Sequence, residues 1–183
     1  DWNWSDFTRP NGPYGVAKLD FNLMKEHGVQ EWQIIYLLPY YIRFGNGEND
    51  AVSYIDFVSR QENVVNLDDT FVTVSQSFES VGTINVFEKK VSNIYSTTDD
   101  SDFVWVNDPD SLKLKVSQAL NNFPKIGGFG AWEIGHDTFD QQLGNAILEE
   151  LPSCTYNVLP LSQSVTAQGG SFIVNVDASS SSC

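Results

Sequence analysis

The stretch "GGFGAWEIGHD", residues 127 to 137, ends an apolar run with a tryptophan and then adds acidic residues. A short apolar run bounded by turn residues is typical of a buried strand in a parallel sheet. Trp132 stands at the end of this run, where the strand reaches the surface. The pattern therefore predicts a strand from Ile126 onward with a large aromatic side chain near its carboxyl end.

Helical patterns lie on both sides of this strand. Residues 107–123 predict a helix with Asp108 as its cap and Pro109 at the first helical position. Its apolar stripe consists of Leu112, Val116, Ala119, Leu120 and Phe123. Residues 137–151 predict a second helix, capped by Asp137. Its stripe consists of Phe139, Leu143, Ala146, Ile147 and Leu151. A strand between two helices is the order found in parallel α/β sheets.

The first part of the chain repeats this order. Residues 14–27 predict a helix that ends at the following glycine. Its apolar stripe consists of Val16, Leu19, Leu23 and Met24. "WQIIYLLPYYI", residues 32–42, is one continuous apolar run and predicts a parallel strand covered on both faces. Residues 48–63 predict a further helix, capped by Asn49 or Asp50.

Two segments differ from this α/β pattern in their sequence composition and periodicity. Residues 60–106 alternate apolar and polar residues, which predicts an antiparallel meander inserted into the α/β chain. Trp105 is expected in its core, the alternative being a position in the wall of a binding groove. The Ser-rich residues 153–183 include "SFIVNV" after a Gly-Gly turn and predict the first strands of a β-sandwich. The two remaining segments, 1–59 and 107–152, carry the α/β pattern.

Charge and composition exclude several classes of partner. The 183 residues carry a formal charge of -14, which disfavours nucleic acid and anionic membrane surfaces, and no apolar run is long enough to insert into a membrane. Aromatic residues make up 13% of the chain, a content common where flat sugar faces are stacked. The opening "DWNWSDF" has no basic region, which predicts that neither a signal peptide nor the natural start is present.

No metal or cofactor is expected. His27 and His136 have no partner at a zinc-binding interval, and "GGFGAW" lacks the spacing of a dinucleotide loop. Cys154 and Cys183 follow no metal-ligand spacing either, so they are free or form a disulfide.

Three stretches together resemble a known family. "LLPYYIR" (37–43), "VNDPDSLKLKV" (106–116) and the stretch at 127–137 resemble the C-terminal part of chitinase-type glycosidases, glycoside hydrolase family 18. The resemblance implies the C-terminal part of a (β/α)8 TIM barrel with an α+β insertion. Residues 1–59 would run from the sixth-strand loop to the seventh strand, and 107–152 would form the seventh helix, eighth strand and eighth helix. The Ser-rich tail resembles the beginning of a BACON-like module.

The resemblance also implies a sugar-binding role for several residues. Trp132 would be the floor on which a sugar ring stacks, the alternative being a core tryptophan. Tyr41 and Arg43 alternate along one strand, so both side chains are expected on the face of the same groove. Glu133 is expected to point away from Trp132, as a solvated or capping acid.

The opening of the chain contributes the remaining candidates. Asp1 matches the Asp of the family's sixth-strand motif and would orient the acetamido group of the substrate. Trp2 and Trp4 would form a further stacking subsite, or pack within their loop. The family's Asp-x-x-Asp-x-Asp-x-Glu motif has no match in this sequence, so the acid that protonates the leaving oxygen is missing.

These implications favour an enzyme that hydrolyses β-1,4-linked N-acetylglucosamine polymers by substrate-assisted catalysis in the intact protein. The partner would be an N-acetylglucosamine-containing glycan, and the missing N-terminal part of the barrel would be required. These residues alone should be inactive. The alternatives are a glycan-binding lectin-like barrel without activity and a structural surface module. In each case we expect a bacterial protein that is secreted or at the cell surface.

Overall fold

The computed structural model describes residues 12–43, 51–61, 72–78, 82–92, 103–162, 164 and 167–179. The chain divides into two compact units, residues 1–150 and 151–183, each described separately below.

Unit 1 mixes helices and strands. In chain order its elements are α1 (Tyr14–Glu26), β1 (Ile35–Pro39), β2 (Tyr41–Arg43), β3 (Ala51–Ser53), α2 (Tyr54–Gln61), β4 (Val72–Phe78), β5 (Gly82–Ser92), β6 (Phe103–Val106), α3 (Pro109–Asn122), β7 (Gly128–Trp132) and α4 (Gln142–Glu150). Short 3-10 turns span Glu31–Gln33 and Ile134–His136.

A parallel pair of strands, β1 and β7, is the centre of unit 1. The register runs from Ile35 opposite Gly128 to Pro39 opposite Trp132. This pairing joins two segments that lie more than ninety positions apart in the sequence. It agrees with the predicted parallel α/β arrangement, although the described residues do not form a closed barrel.

The two faces of this pair differ in burial. Tyr36 and Leu38 are buried in the main hydrophobic core, and Phe129 and Ala131 from β7 pack against the same core. On the other face Ile35 and Leu37 are each more than half exposed. The prediction that β1 is covered on both faces is therefore wrong for the described residues. Among them, the helices of unit 1 cover only the face that carries Tyr36 and Leu38.

Helix α3 follows the prediction from its cap to its apolar stripe. The Asp108 carboxylate accepts a hydrogen bond from Ser111 N at 2.9 Å, and Pro109 is the first helical residue. Leu112, Val116, Ala119 and Phe123 are buried, and Leu120 packs against them.

Helix α1 ends as predicted, with His27 as its C-cap and Gly28 at a φ of 89°, but it buries a different face. Tyr14 and Phe21 are buried, whereas Leu19, Leu23 and Met24 are exposed. The reason lies in aromatic packing from distant segments. The ring of Phe21 meets those of Tyr36 and Phe123 edge-on, at 5.3 and 5.5 Å between centroids.

The apolar run at 32–42 is not one strand. Residues 31–33 form a 3-10 turn, β1 ends at Pro39, and after Tyr40 the chain continues as β2, which pairs antiparallel with β3. Pairing with β2 also explains why residues 51–53 are a strand rather than the predicted start of a helix. Helix α2 then begins at Tyr54, and Ser53 Oγ accepts from Asp56 N at 3.2 Å. Asn49 and Asp50, the predicted caps, lie outside the described residues.

The predicted meander is confirmed as a three-stranded antiparallel sheet in the order β4-β5-β6. Trp105 is buried with Ile84 and Val86, in agreement with its predicted core position. Phe87, Val91, Val104 and Val106 belong to the main core of unit 1. The meander and the α/β elements therefore share one core.

A buried ion pair ties this sheet to α3. Lys115 Nζ donates to Glu88 Oε1 at 2.6 Å, to Gly12 O at 2.6 Å and to Asn107 Oδ1. Gly12 N donates to the same Glu88 oxygen at 2.8 Å. Both charged side chains are fully buried. Burial lowers the pKa of Lys115 from its ordinary value, and the attraction of Glu88 opposes that shift.

Unit 2 contains one antiparallel pair, β8 (Tyr156–Leu159) and β9 (Asn175–Ala178), among its described residues. Strand β9 begins only at Asn175, so most of the segment "SFIVNV", which was predicted as a strand, precedes it. Cys154 is disulfide-bonded, which decides between the two alternatives left open for this residue, and Cys183 lies outside the described residues. A complete β-sandwich is not formed by the described part of this unit.

Candidate functional site

The carboxyl ends of β1 and β7 position Trp132 next to the chain that continues into β2. Trp132 is the last residue of β7 and lies opposite Pro39. Tyr40 N donates to Trp132 O at 2.9 Å, and Tyr54 N donates to Tyr40 O at 3.0 Å. These backbone bonds hold β7, the start of β2 and the start of α2 at one edge of the parallel pair.

The indole of Trp132 is accessible to solvent. It is 60% exposed, and its register places it on the same face of the sheet as Ile35 and Leu37. Its peptide bond to Glu133 is cis. An exposed indole at the carboxyl end of parallel strands offers a flat apolar surface to a ligand.

Tyr41 and Tyr40 point to different surroundings. The half-buried Tyr41 ring packs edge-on against the His136 ring, with centroids 6.5 Å apart. Tyr40 is buried in the main hydrophobic core. Burial, with a smaller contribution from Asp137, raises the pKa of Tyr40 to about 12. Its phenol is therefore protonated at neutral pH and acts as a neutral group. Arg43 ends β2, opposite Ala51.

The turn after β7 begins with Glu133, the residue that follows Trp132 in the chain. Glu133 is exposed, and its Oε1 lies 3.6 Å from His136 Nε2. Nδ1 of His136 is buried and has no hydrogen-bond partner among the described residues. The Glu133 side chain is largely exposed, and a Cβ at Gly135 would make only an ordinary contact with its Oε1, at 3.7 Å.

Asp137 holds the start of α4 as predicted, but the helix begins later. Its carboxylate accepts from Leu143 N at 3.0 Å and from Gly144 N at 2.8 Å, as well as from Thr138 N. The helix starts at Gln142, so Phe139 precedes it and is 98% exposed rather than on its buried face. Leu151 follows the last helical residue. Leu143, Ala146 and Ile147 are buried as predicted.

Replacing Asp137 should loosen this helix start. In Asp137→Ala the amides of Leu143 and Gly144 lose their acceptor, so we expect the free energy of unfolding to fall by about 1–2 kcal/mol. Chemical denaturation measures this loss. Asp137→Asn, which keeps one acceptor oxygen, should lose less, and equal losses in both variants would contradict the capping role.

A cavity of about 1060 Å³ adjoins this strand end, between α2, β7 and α4, and its lining includes Ala131 and Ile134 but not Trp132. The lining is mainly apolar, and its polar side chains include those of Asp56 and Gln141. The buried acid in its wall, Asp137, already has its oxygens bonded to the backbone. We place the candidate site at Trp132 because its exposed indole lies at the carboxyl ends of the two parallel strands.

Three of the predicted site residues, Asp1, Trp2 and Trp4, lie outside the described residues. Across the part of the chain that the structure describes, no group of three His, Cys, Asp or Glu residues could hold a metal ion. In that same part no helix has the length and hydropathy needed to cross a membrane.

Two features escaped the sequence interpretation. The contact of Tyr41 with His136 joins residues 95 positions apart and leaves no local signal. Lys115 has a local signal in the sequence, because it lies three residues after Leu112 on the buried stripe of α3. A lysine on an apolar stripe indicates a buried partner, although its identity, Glu88, depends on the tertiary fold.

Unit 1 has a pair of parallel strands with helices on one face, and the candidate residue Trp132 lies at the carboxyl end of these strands. Both features are typical of (β/α)-barrel proteins. Solved structures with a similar fold include chitinases. The chain is similar to a family 18 chitinase mutant from Cycas revoluta, solved in complex with (GlcNAc)4, at 14% identity and a TM-score of 0.53. The match covers 78% of this chain and 40% of that chain.

A class V chitinase from Pseudomonas fluorescens Pf-5 is also similar, at 11% identity and a TM-score of 0.53, over 82% of this chain and 42% of that chain. At such identities the likeness shows the fold alone. The chain spans less than half the length of either chitinase. No protein-family model matches the sequence, and no curated protein does.

Proposed function

We propose that this chain is the C-terminal part of a chitinase-like glycosidase and that its strand ends bind a β-1,4-linked N-acetylglucosamine chain. The observation that carries the proposal is the exposed indole of Trp132 at the carboxyl end of two parallel strands. The similarity of the fold to chitinases, one of them solved with a bound N-acetylglucosamine tetramer, supports the same ligand class.

The uncovered face of β1 and β7 supports a barrel as the complete form. Helices pack on the face of Tyr36 and Leu38, as the outer helices of a (β/α)8 barrel do. The opposite face, with Ile35, Leu37 and Trp132, would then be the barrel interior. In this proposal the remaining strands come from a segment outside this chain.

Catalysis by the intact protein would follow the substrate-assisted route, in which the acetamido oxygen of the sugar attacks its own anomeric carbon. This chain would supply the aromatic floor and, through Asp1, a carboxylate that orients the acetamido group. The proton donor would lie outside it. We further propose that the protein is bacterial and exported, and that unit 2 begins a BACON-like accessory module.

Removal of the indole tests the binding site. In Trp132→Ala we expect the Kd for an N-acetylglucosamine tetramer to rise about fivefold, because one stacked ring contributes about 1 kcal/mol. Isothermal titration calorimetry or NMR titration of the 183-residue chain measures the change. Trp32→Ala is the matched control, because Trp32 is similarly exposed but precedes β1 at the opposite end of the strands.

An equal loss of tetramer affinity in Trp132→Ala and Trp32→Ala would contradict a specific sugar-stacking role of Trp132. Absence of any tetramer binding by a protein that also contains the upstream segment would favour the structural surface module. Activity requires a separate comparison, since a lectin-like barrel would also bind. Hydrolysis of a chromogenic chitobioside by a protein that also contains the upstream segment would favour the enzyme, and binding without hydrolysis would favour the lectin.

A further inference from the structure

The side chain of Tyr41 lies on the same face of the strands as the Trp132 indole. Every second residue of this stretch is buried in the main core, namely Tyr36, Leu38, Tyr40 and Ile42. Tyr41 falls within this series, so its side chain projects to the opposite, uncovered face, which also carries Trp132. Pro39 is the register partner of Trp132, and Tyr41 therefore stands one side-chain repeat beyond the indole, at the carboxyl end of the strands.

The imidazole of His136 packs against the Tyr41 ring from the turn that follows β7. The two ring planes meet at 80° with their centroids 6.5 Å apart, the edge-to-face geometry that aromatic pairs prefer. The backbone of this turn is held by two hydrogen bonds. His136 N donates to Glu133 O at 2.9 Å, and Asp137 N donates to Ile134 O at 3.2 Å. The ring contact therefore connects a side chain on the uncovered face with a turn of fixed backbone.

Hydrogen bonding does not account for the position of this imidazole. Nδ1 of His136 is buried and has no partner among the described residues, and Nε2 lies 3.6 Å from Glu133 Oε1, beyond hydrogen-bond distance. A buried polar atom without a partner lowers stability. The interaction that the imidazole does make is the ring contact with Tyr41, which restricts the rotation of the phenol side chain.

We propose that His136 is a positioning residue of the glycan site, whose ring holds the Tyr41 side chain in one rotamer on the face of Trp132. The indole and the phenol ring then form a preorganised aromatic surface for an N-acetylglucosamine chain. This inference rests on the proposed function, since it concerns the same site. Ordering a side chain during binding opposes association, and a ring that is already held in place avoids that loss of entropy. In this role His136 acts through Tyr41 and does not contact the substrate.

A double-mutant cycle between the two rings tests this role. In His136→Ala we expect the Kd for an N-acetylglucosamine tetramer to rise about three- to fivefold in NMR titrations of the 183-residue chain. Tyr41→Ala should weaken binding at least as much, and adding His136→Ala to it should change the Kd no further. His136→Phe keeps an aromatic ring without the nitrogen atoms, so its Kd should stay within about twofold of the wild-type value.

The rotamer of Tyr41 gives a second readout that does not need a ligand. The Hα–Hβ couplings of Tyr41 should indicate one rotamer in the unliganded wild type and in His136→Phe, and should approach averaged values in His136→Ala. His136→Leu fills the space without a ring and replaces His136→Ala if that variant does not fold. His27→Ala is the matched control, because His27 is exposed and caps α1, before the amino end of β1, and it should leave the Kd unchanged.

Three results would overturn the inference and leave the proposed function standing. They are an unchanged Kd in His136→Ala, an equal loss of affinity from His136→Ala in the wild-type and Tyr41→Ala backgrounds, and no recovery in His136→Phe. Averaged couplings of Tyr41 in the unliganded wild type would overturn it as well. The proposed function fails separately, if the tetramer does not move the Trp132 indole signal in a protein that also contains the upstream segment.

Discussion

Lys115→Met should reduce the free energy of unfolding by about 3–5 kcal/mol, the largest effect that we expect from one substitution in this chain. The variant leaves the fully buried Glu88 carboxylate without its cation, and it removes the donor to Gly12 O and Asn107 Oδ1. Guanidinium denaturation followed by tryptophan fluorescence measures the loss, because the buried Trp105 lies in the adjoining sheet.

Lys113→Met is the control for this experiment. Lys113 lies on the same helix but pairs with the exposed Glu149, so its removal should change stability little. The double variant Glu88→Gln/Lys115→Met removes both charges and keeps an acceptor for Gly12 N, so it should recover much of the lost stability. Two results would contradict the buried-charge explanation. One is a loss of unfolding free energy in Lys115→Met no larger than that in Lys113→Met, and the other is a double variant no more stable than Lys115→Met.

Gly127→Ala should be the second most damaging change, with a loss of about 3 kcal/mol or more. A Cβ at this position would lie 2.2 Å from Trp32 O, a backbone atom that cannot rotate away. The chain would have to shift, and the hydrogen bonds from Gly127 N to Glu31 O and Ile34 O would be lost with that shift. Thermal and chemical unfolding measure the loss.

Gly135→Ala provides the comparison, since a Cβ there makes only an ordinary contact at 3.7 Å. We expect that variant to stay within about 0.5 kcal/mol of the wild type. Because Gly127 directly precedes β7, its substitution should also displace Trp132 and weaken glycan binding. A fully stable Gly127→Ala protein would show that the close approach of the two backbones is not required.

The sequence alone determined the features that depend on neighbouring residues. Asp108 and Pro109 define the start of α3, Gly28 follows the end of α1, and alternation predicts the meander, because caps, turns and periodicity act within a few positions. The apolar run that ends at Trp132 likewise predicted β7 and an aromatic residue at its end.

Only the tertiary structure decided which segments meet. Three contacts join residues far apart in the chain: the parallel register of β1 with β7, the contact of Tyr41 with His136 and the pairing of Lys115 with Glu88. The exposure of one face of the β1–β7 pair also depends on the tertiary fold. Helix α1 shows the consequence most clearly, because packing against Tyr36 and Phe123 buried Phe21 and left its leucines exposed. Local propensity contributes at most about 1 kcal/mol per residue, whereas burial of a large side chain contributes more, so long-range packing prevails where the two conflict.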